Sequence, residues 1–283
     1  MSVKIVSIEG SITTNYAGHN ALMNFYHSCK KYQNQTIQIN FYKLKFFDAN
    51  LCALLSAILH KLNKENNLLF VTDIDYLKGD FNVLCRNGFL KSDPPIVDLQ
   101  KSTIAFKAFH PKDKKGFFEY IENDLMKHRG MPKLSEELYS NIIDDLVEIF
   151  VNYDYHSKSR DYFFVCGQYY GKTKFLKLTL VDLGDGFLPS IKKATNGVIN
   201  KSNDAVLWAL GGHSTKPKFE RVPGGLGIKG IHQFVTTNNG IFDIATGETY
   251  WSSAISDSKF PNRCINIDKP FCGTTINLSF NCN

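Results

Sequence analysis

The chain has 283 residues, a formal net charge of +6, and a composition that is 43% hydrophobic and 13% aromatic. This length fits two modest domains or one large one, and the composition supports a packed core, which excludes a disordered chain. The basic excess is small and its lysines are dispersed, which argues against nucleic acid as a partner.

The cysteines and the apolar runs indicate the compartment. The seven cysteines contain no CxxC pair and have irregular spacing, which argues against a zinc site and a disulfide framework. No apolar run approaches the roughly 18 residues of a membrane span, and no signal-peptide block opens the chain. We therefore expect a cytoplasmic protein with no membrane partner.

The first ninety-odd residues alternate between strand and helix patterns. Strand patterns cover 3–9, 36–41 and 68–72, and helix patterns cover 20–31, 49–62 and 80–86. This order predicts a small α/β domain over residues 1–92. Pro94 and Pro95 mark the boundary, because two prolines disfavour helix and favour an extended linker.

A second domain is predicted after this boundary. Residues 93–133 are expected to form a linker with a leading strand at 103–109 and a leading helix at 117–127, and the main domain is expected over 134–283. A long helix from about 135 to 156 opens that domain, with Ser135 as its N-cap.

A row of polar residues runs along the long helix. Glu148, Asn152 and His156 recur at i+4 spacing and lie on the flank of an apolar stripe. A row that borders the core can line a pocket, where Glu can take a proton from water and Asn can bind a hard cation. The alternative is a solvated polar flank, and Asp144 and Asp145 are expected to be solvated.

An acid-glycine turn follows a strand pattern at 174–181. The turn reads Asp182-Leu183-Gly184-Asp185-Gly186, which leaves a carboxylate at a strand end beside unobstructed backbone. Such a carboxylate can accept a hydrogen bond from an exocyclic amine such as that of adenine, and glycine lets a flat ring approach. The alternative is a plain hairpin turn, because Asp-Gly is a favoured turn dipeptide.

A long polar stretch and a glycine run follow. Residues 189–222 are predicted to be a loop with a short helix at 205–210, which is typical of a functional lid. Lys216 in this loop either meets phosphates or lies on the surface. The segment 225–230 matches GxGxxG before a helix start, and its N–H groups can cradle phosphate. Its late position does not fit a Rossmann unit, and no GKS or GKT makes it a Walker A loop.

Taken in order, these features resemble the GHKL ATPase superfamily, named for gyrase, Hsp90, histidine kinases and MutL. The N box is similar to 148–152, the G1 box to 182–186, the G2 box to 225–230, and the last strand to 273–278. The resemblance covers about 130–283. It implies a Bergerat-fold α/β sandwich, with a mixed sheet and helices on one face.

The resemblance also implies roles for individual residues. Glu148 resembles the general base, Asn152 the magnesium ligand, and Asp182 the carboxylate that reads adenine. The other expected nucleotide-binding positions are Gly184, Gly186, Thr215, Lys216, Gly225, Leu226, Gly227, Gly230, His156 and either Thr274 or Thr275. The position of His156, four residues after Asn152, is similar to that of a histidine in anti-sigma-factor kinases. Tyr153 replaces the usual Ala, and Tyr155 replaces a phosphate-binding Lys.

Residues 1–92 resemble a STAS domain, the anti-sigma-antagonist fold, more faintly. The signature turn is similar to 46–51, where Ala49 occupies the position of the phosphoacceptor Ser. A phosphorylation switch at that position therefore lacks its hydroxyl. The predicted fold class is thus α/β, with a small STAS-like domain followed by the Bergerat-fold sandwich.

Three functions are compatible with this resemblance, all with ATP and Mg²⁺ as cofactors. The first is a regulatory protein with weak or partner-dependent ATPase activity. The second is a serine/threonine protein kinase of the anti-sigma-factor type. The third is a nucleotide-gated interaction module that does not hydrolyse ATP. The expected partners are an adenine nucleotide and a protein, which the N-terminal domain could dock, and a homodimer is compatible with the sequence.

Overall fold

The computed structural model describes residues 3–156, 161–215 and 226–283. In these ranges the strands form a three-stranded parallel sheet, a two-stranded parallel pair and a seven-stranded antiparallel sheet. Helices pack against the sheets. The chain is therefore a mixed α/β protein, as the alternating sequence patterns predict.

The three-stranded sheet, here called the small sheet, is built from the N-terminal residues. It contains β1 (Val3–Ser7), β3 (Thr36–Asn40) and β5 (Leu69–Thr72), in the order β1-β3-β5, while β2 (Gly10–Ile12) pairs with β4 (Leu44–Phe47). The helices are α1 (Tyr16–Lys30), α2 (Cys52–Asn66), α3 (Ile74–Lys78) and α4 (Val83–Arg86). Asn15 caps α1 by accepting from Gly18 N at 3.0 Å, and Asn67 ends α2 at φ +51°.

The seven-stranded sheet, here called the large sheet, is antiparallel at every strand pair. Its strands are β6 (Thr103–Phe109), β7 (Phe163–Tyr170), β8 (Phe175–Asp182), β9 (Ile241–Thr246), β10 (Thr249–Ser252), β11 (Cys264–Asn266) and β12 (Thr274–Asn281). Their spatial order is β11-β10-β9-β12-β8-β7-β6. The predicted mixed sheet is therefore wrong for this layer, because tight hairpins such as β7–β8 and β9–β10 reverse the chain between neighbours.

Helices cover the front face of the large sheet. They are α5 (Lys114–Tyr120), a π-helix (Ile121–Met126), α6 (Glu136–His156), α7 (Phe187–Ala194), α8 (Ser202–Leu210) and α9 (Leu226–Thr237). Buried side chains of α5, α6 and α9 meet those of β7, β8 and β12 in one apolar core. Phe117 stacks on Phe150 at 4.5 Å between ring centroids within this core.

The back face of the large sheet packs against the N-terminal residues, so helices lie on both faces rather than on one. The contact between this face and the 3-10 turn Ala49–Leu51 with Asp48 is here called the joint. Lys177 Nζ bonds Asp48 Oδ2 at 2.7 Å. Asn50 Nδ2 donates to Thr179 Oγ1 at 2.8 Å, which in turn donates to Asn277 Oδ1 at 2.8 Å. Apolar side chains of β7 and β8 join the N-terminal core beside these bonds.

Two sequence predictions need correction at the level of elements. The stretch predicted as a lid loop with one short helix contains α7 and α8 within its described part. Strand β7, second from the edge of the large sheet, is missing from the predicted elements, because its apolar run has no alternation. The longest described helix, α6, has 21 residues, and neither it nor another helix in the described ranges has the apolar stretch that a bilayer requires.

Candidate functional site

Asn152, in the polar row of α6, faces a pocket on the front side of the large sheet. Asn152 lies at its wall, with Ile149 and Tyr153 beside it on the same helix. The Tyr153 ring is buried, packs on Phe163 at 5.7 Å, and donates from its hydroxyl to Asp161 O at 2.7 Å. Tyr153 is thus held in the wall by contacts with the protein.

Asp182 ends β8 at the opposite wall of this pocket. Its Oδ1 accepts from Gly184 N at 2.8 Å, and Thr274 is its register partner on β12. Burial raises the pKa of this carboxyl to about 6, while hydrogen bonds from Gly184 and Thr274 act in the opposite direction. A carboxylate in this position can still accept from a ligand that enters the pocket.

Two glycines allow the strand ends to meet at this wall. Gly186 has φ +73°, and a Cβ there would lie 2.6 Å from Thr246 Oγ1. Gly273 has φ +80°, and a Cβ there would overlap the carbonyl of Asp182. Thr246 ties the ends together, because its Oγ1 donates to Gly273 O and accepts from Phe187 N, each at 3.2 Å. The turn after Asp182 is thus a packed wall, which a solvent-exposed hairpin would not require.

The pocket opens to solvent and contains about 530 Å³ of space including its mouth. Its lining is Ile149, Asn152, Tyr153, Asp182, Gly184, Asp185, Gly186, Phe187, Ser190, Ile228, Thr274 and Ile276. Apolar side chains form most of the wall and a few polar groups lie at its ends, an arrangement that suits a flat heterocycle with one exocyclic donor.

A second pocket of about 520 Å³ adjoins the first and shares Asn152, Phe187, Ser190 and Ile228 with it. Its other walls come from α7, α8 and residues 213–215, including the predicted Thr215. Trp208 packs against His213 with ring centroids 5.2 Å apart. The two pockets are therefore neighbours with a common wall.

Asn152 has an unsatisfied polar atom. Its Oδ1 is buried and has no hydrogen-bond partner among the described residues, whereas its Nδ2 lies 3.5 Å from Glu148 Oε1. A buried amide oxygen without a donor is costly unless a cation or a donor meets it. Within the described ranges no group of three or more His, Cys, Asp or Glu side chains could hold a metal. A cation at Asn152 would therefore need oxygens from a ligand.

Glu148 contacts the N-terminal turn of α9. Its Oε2 accepts from Gly227 N at 2.8 Å. Asp145, one turn earlier, lies partly buried under the same helix and against Gly230, and burial together with Glu148 and Asp144 raises its pKa to about 7. The expectation that Asp145 is solvated is therefore wrong. Its ionised form is disfavoured because α9 removes water from it.

Some predicted site residues lie elsewhere. Gly227 and Gly230 are placed at the α6–α9 contact and, in the described structure, line neither pocket. Thr275 faces the back of the sheet, beside His19, because neighbouring strand residues point to opposite faces. Lys216 and Gly225 lie outside the described residues. His156 and Leu226 belong to α6 and α9, but their side chains also lie outside the described part.

Sequence reasoning missed several wall residues. They are Ile149, Phe187, Ser190, Trp208, His213, Ile228 and Ile276. Ile149 and Ile276 each lie within three residues of a predicted site residue, so the helical and strand periods could have indicated them. Trp208 carries no such signal, because only the packing of α8 brings it to the pocket.

Comparison with known proteins finds no relative of this chain. No family model matches the chain, and neither the curated proteins nor the solved structures contain a significant match. What the site does must therefore be argued from the pocket itself.

Proposed function

We propose that the chain binds Mg-ATP in these two adjoining pockets, as a GHKL-type regulatory protein with weak or partner-dependent ATPase activity. The observation that carries the proposal is the convergence of two predicted groups on one pocket. Asp182, with Thr274 beside it, lines one end, and Asn152 lies where the two pockets meet. These residues are 30 or more apart in the chain, and the GHKL resemblance assigns all of them to one nucleotide.

The proposed ligand fits the chemistry of both pockets. Adenine would enter between the apolar walls of the first pocket, where its exocyclic amine would donate to Asp182. The ribose and phosphates would extend past Asn152 into the second pocket, towards Thr215. Magnesium would be held by the unsatisfied Asn152 oxygen and by phosphate oxygens, and would neutralise phosphate charge.

Weak hydrolysis is expected from the position of Glu148. A general base must reach the attacking water, but this carboxylate accepts from Gly227 N at the start of α9. In the described structure Glu148 lines neither pocket, so the carboxylate must reorient towards the ligand before it can act as a base. This contact supports slow turnover that a partner could accelerate, and it equally favours the non-hydrolysing interaction module as a second candidate.

Binding is tested by calorimetric titration of ATP with and without Mg²⁺. The wild type should bind ATP more tightly with the metal. Asn152→Ala should lose most of that gain, about tenfold for one charge-assisted contact. Asn123→Ala is the matched control, because Asn123 is exposed on the π-helix. Failure of the wild type to bind ATP would refute the proposal.

The fate of ATP separates the three candidate functions. Phosphate release that falls at least about tenfold in Glu148→Gln supports the ATPase. Transfer of labelled γ-phosphate to a protein serine or threonine supports the kinase. Binding with neither outcome supports the interaction module. Equal phosphate release by wild type and Glu148→Gln would contradict the role of Glu148.

A further inference from the structure

One face of the small sheet is open to solvent and carries aliphatic side chains. Its other face packs into the N-terminal core through residues such as Ile37 and Ile39. On the open face Val3, Ile5, Leu69 and Val71 are 52%, 64%, 58% and 50% exposed. Parallel sheets are ordinarily covered on both faces, so this face lacks the cover that its architecture normally has.

The strand register places Val3 and Ile5 along one side of a patch and Leu69 and Val71 along the other, with the polar Thr36 and Gln38 of the middle strand between them. Val3 pairs with Thr36, which pairs with Leu69, and Ile5 pairs with Gln38, which pairs with Val71. Each set of three paired residues forms a row across the strands. Each row is therefore about 10 Å wide, and the two rows lie about 7 Å apart along the strands. Within the described strands the remaining outward positions are Ser7, Thr36, Gln38 and Asn40, so the open face carries no charge. A patch of this width matches the diameter of one α-helix.

A cleft with a carboxylate lies at the carboxyl end of β3, next to this patch. Tyr42 and Tyr76 form its aromatic walls, edge to face with ring centroids 4.8 Å apart. The Tyr42 hydroxyl donates to Asp73 Oδ2 at 2.5 Å, and Asn40 Oδ1 accepts from Tyr42 N at 2.9 Å. Because Asn40 belongs to the open face, it connects the patch to the cleft.

The chemistry of the cleft suits a cation. Tyr42 is 57% exposed although it is aromatic and held in place by two hydrogen bonds. An exposed tyrosine ring beside a carboxylate attracts ammonium and guanidinium groups through the ring quadrupole and the opposite charge. The hydrogen bond with Tyr42 lowers the pKa of Asp73, so the carboxylate is ionised at neutral pH.

We propose that the open face and the Tyr42–Asp73 cleft together dock an amphipathic helix of a protein partner, whose apolar stripe covers the four aliphatic residues and whose Lys or Arg enters the cleft. A second copy of this chain is a poorer occupant. The open face carries no cation among its described strand residues, so the same face of a second copy would bring none to Asp73. The inference does not depend on nucleotide binding.

The test uses synthetic 18-residue helices with one leucine stripe. One set of peptides is varied at a single position in the first turn, and another set at a single position in the last turn. Within each set that position holds Lys, norleucine or Glu. Fluorescence anisotropy with the full chain should show the tightest binding for a Lys peptide, by about fivefold over norleucine. Asp73→Asn and Tyr42→Leu should abolish that preference. Asparagine keeps the N-cap that Asp73 provides to α3, so α3 should still form.

The double variant Ile5→Ser/Val71→Ser should weaken binding of every peptide by at least about tenfold, whereas Val198→Ser, an 84% exposed valine elsewhere, should not. Circular dichroism confirms that each variant is folded. Absence of binding at millimolar peptide, or equal affinity for Lys and norleucine peptides, would overturn the proposal. A dimer in sedimentation that the double variant dissociates would also overturn it, because the occupant would then be a second copy.

Discussion

At the scale of single residues, the environment of Asp182 sets its protonation state, on which binding of the proposed ligand depends. It ends a buried strand, so it loses water, and this desolvation raises its pKa to about 6. Hydrogen bonds from Gly184 and Thr274 limit the rise. The carboxylate is therefore mostly ionised at pH 7.5 and mostly protonated at pH 5. Only the ionised form has all its oxygen lone pairs available to accept from an amine.

We therefore predict that ATP affinity falls as the pH drops through 6. With a pKa of about 6, protonation at pH 5 should weaken binding about tenfold relative to pH 7.5. Asp182→Asn should bind more weakly at pH 7.5 and should retain only the pH dependence of the nucleotide itself. Calorimetric titrations from pH 5 to 8 measure both profiles. Parallel profiles for the two proteins would contradict the assigned role.

At the scale of elements, the approach of α9 to α6 determines the position of Glu148. Gly227 lies where the helices are closest, and a Cβ there would be 2.7 Å from Asp145 O and 2.9 Å from Glu148 Cβ. Neither atom can rotate away, because one belongs to the backbone and the other is fixed to it. The glycine run thus shapes a helix contact, in addition to any role with phosphate.

Gly227→Ala should lower the free energy of unfolding by about 1–3 kcal/mol, because overpacking outweighs the roughly 1 kcal/mol by which alanine favours helix. Gly230→Ala should cost less, since only the Asp145 carboxylate lies in the way and it can rotate. Gly171→Ala is the control, because a Cβ there would lie 3.7 Å from its nearest neighbour. Urea unfolding measures all three, and a Gly227→Ala protein as stable as wild type would refute close packing.

At the scale of the whole molecule, the joint attaches the N-terminal residues to the large sheet. Asp48 is 1% exposed, and its Oδ2 accepts from Thr14 N, Thr14 Oγ1 and Lys177 Nζ. Ala49, at the proposed phosphoacceptor position, is fully buried on the back face, opposite the pocket. The joint therefore occupies the surface that a phosphorylation switch would need to expose.

Removal of Lys177 should leave the buried Asp48 carboxylate without its cation. Lys177→Met is expected to destabilise the chain by about 3–5 kcal/mol, whereas Lys107→Met should cost at most about 1 kcal/mol. Lys107 is the matched control because it pairs with Asp124 at the surface. Chemical denaturation compares the two. Similar losses for both variants would mean that the joint pair contributes no more than a surface pair.

Local patterns in the sequence were enough to predict the mixed α/β class, the long helix α6, and β8 running into the acid-glycine turn. These features follow from periods of 3.6 and 2 residues and from caps and glycines, which act over a few neighbours. The same patterns indicated Asp182, Asn152, Gly184 and Gly186, and the family resemblance implied Thr215; all five line the two pockets. That these residues bind a nucleotide stays a prediction.

Tertiary structure decided what depends on contacts between distant residues. The antiparallel order of the large sheet, the packing of the N-terminal helices on its back face, and the orientation of Thr274 rather than Thr275 to the pocket all depend on strand pairing. Asp145 became buried because α9 packs on it, and Trp208 reached the pocket because α8 folds back. Composition and periodicity carry no information about such long-range burial, because it arises only when separate elements meet.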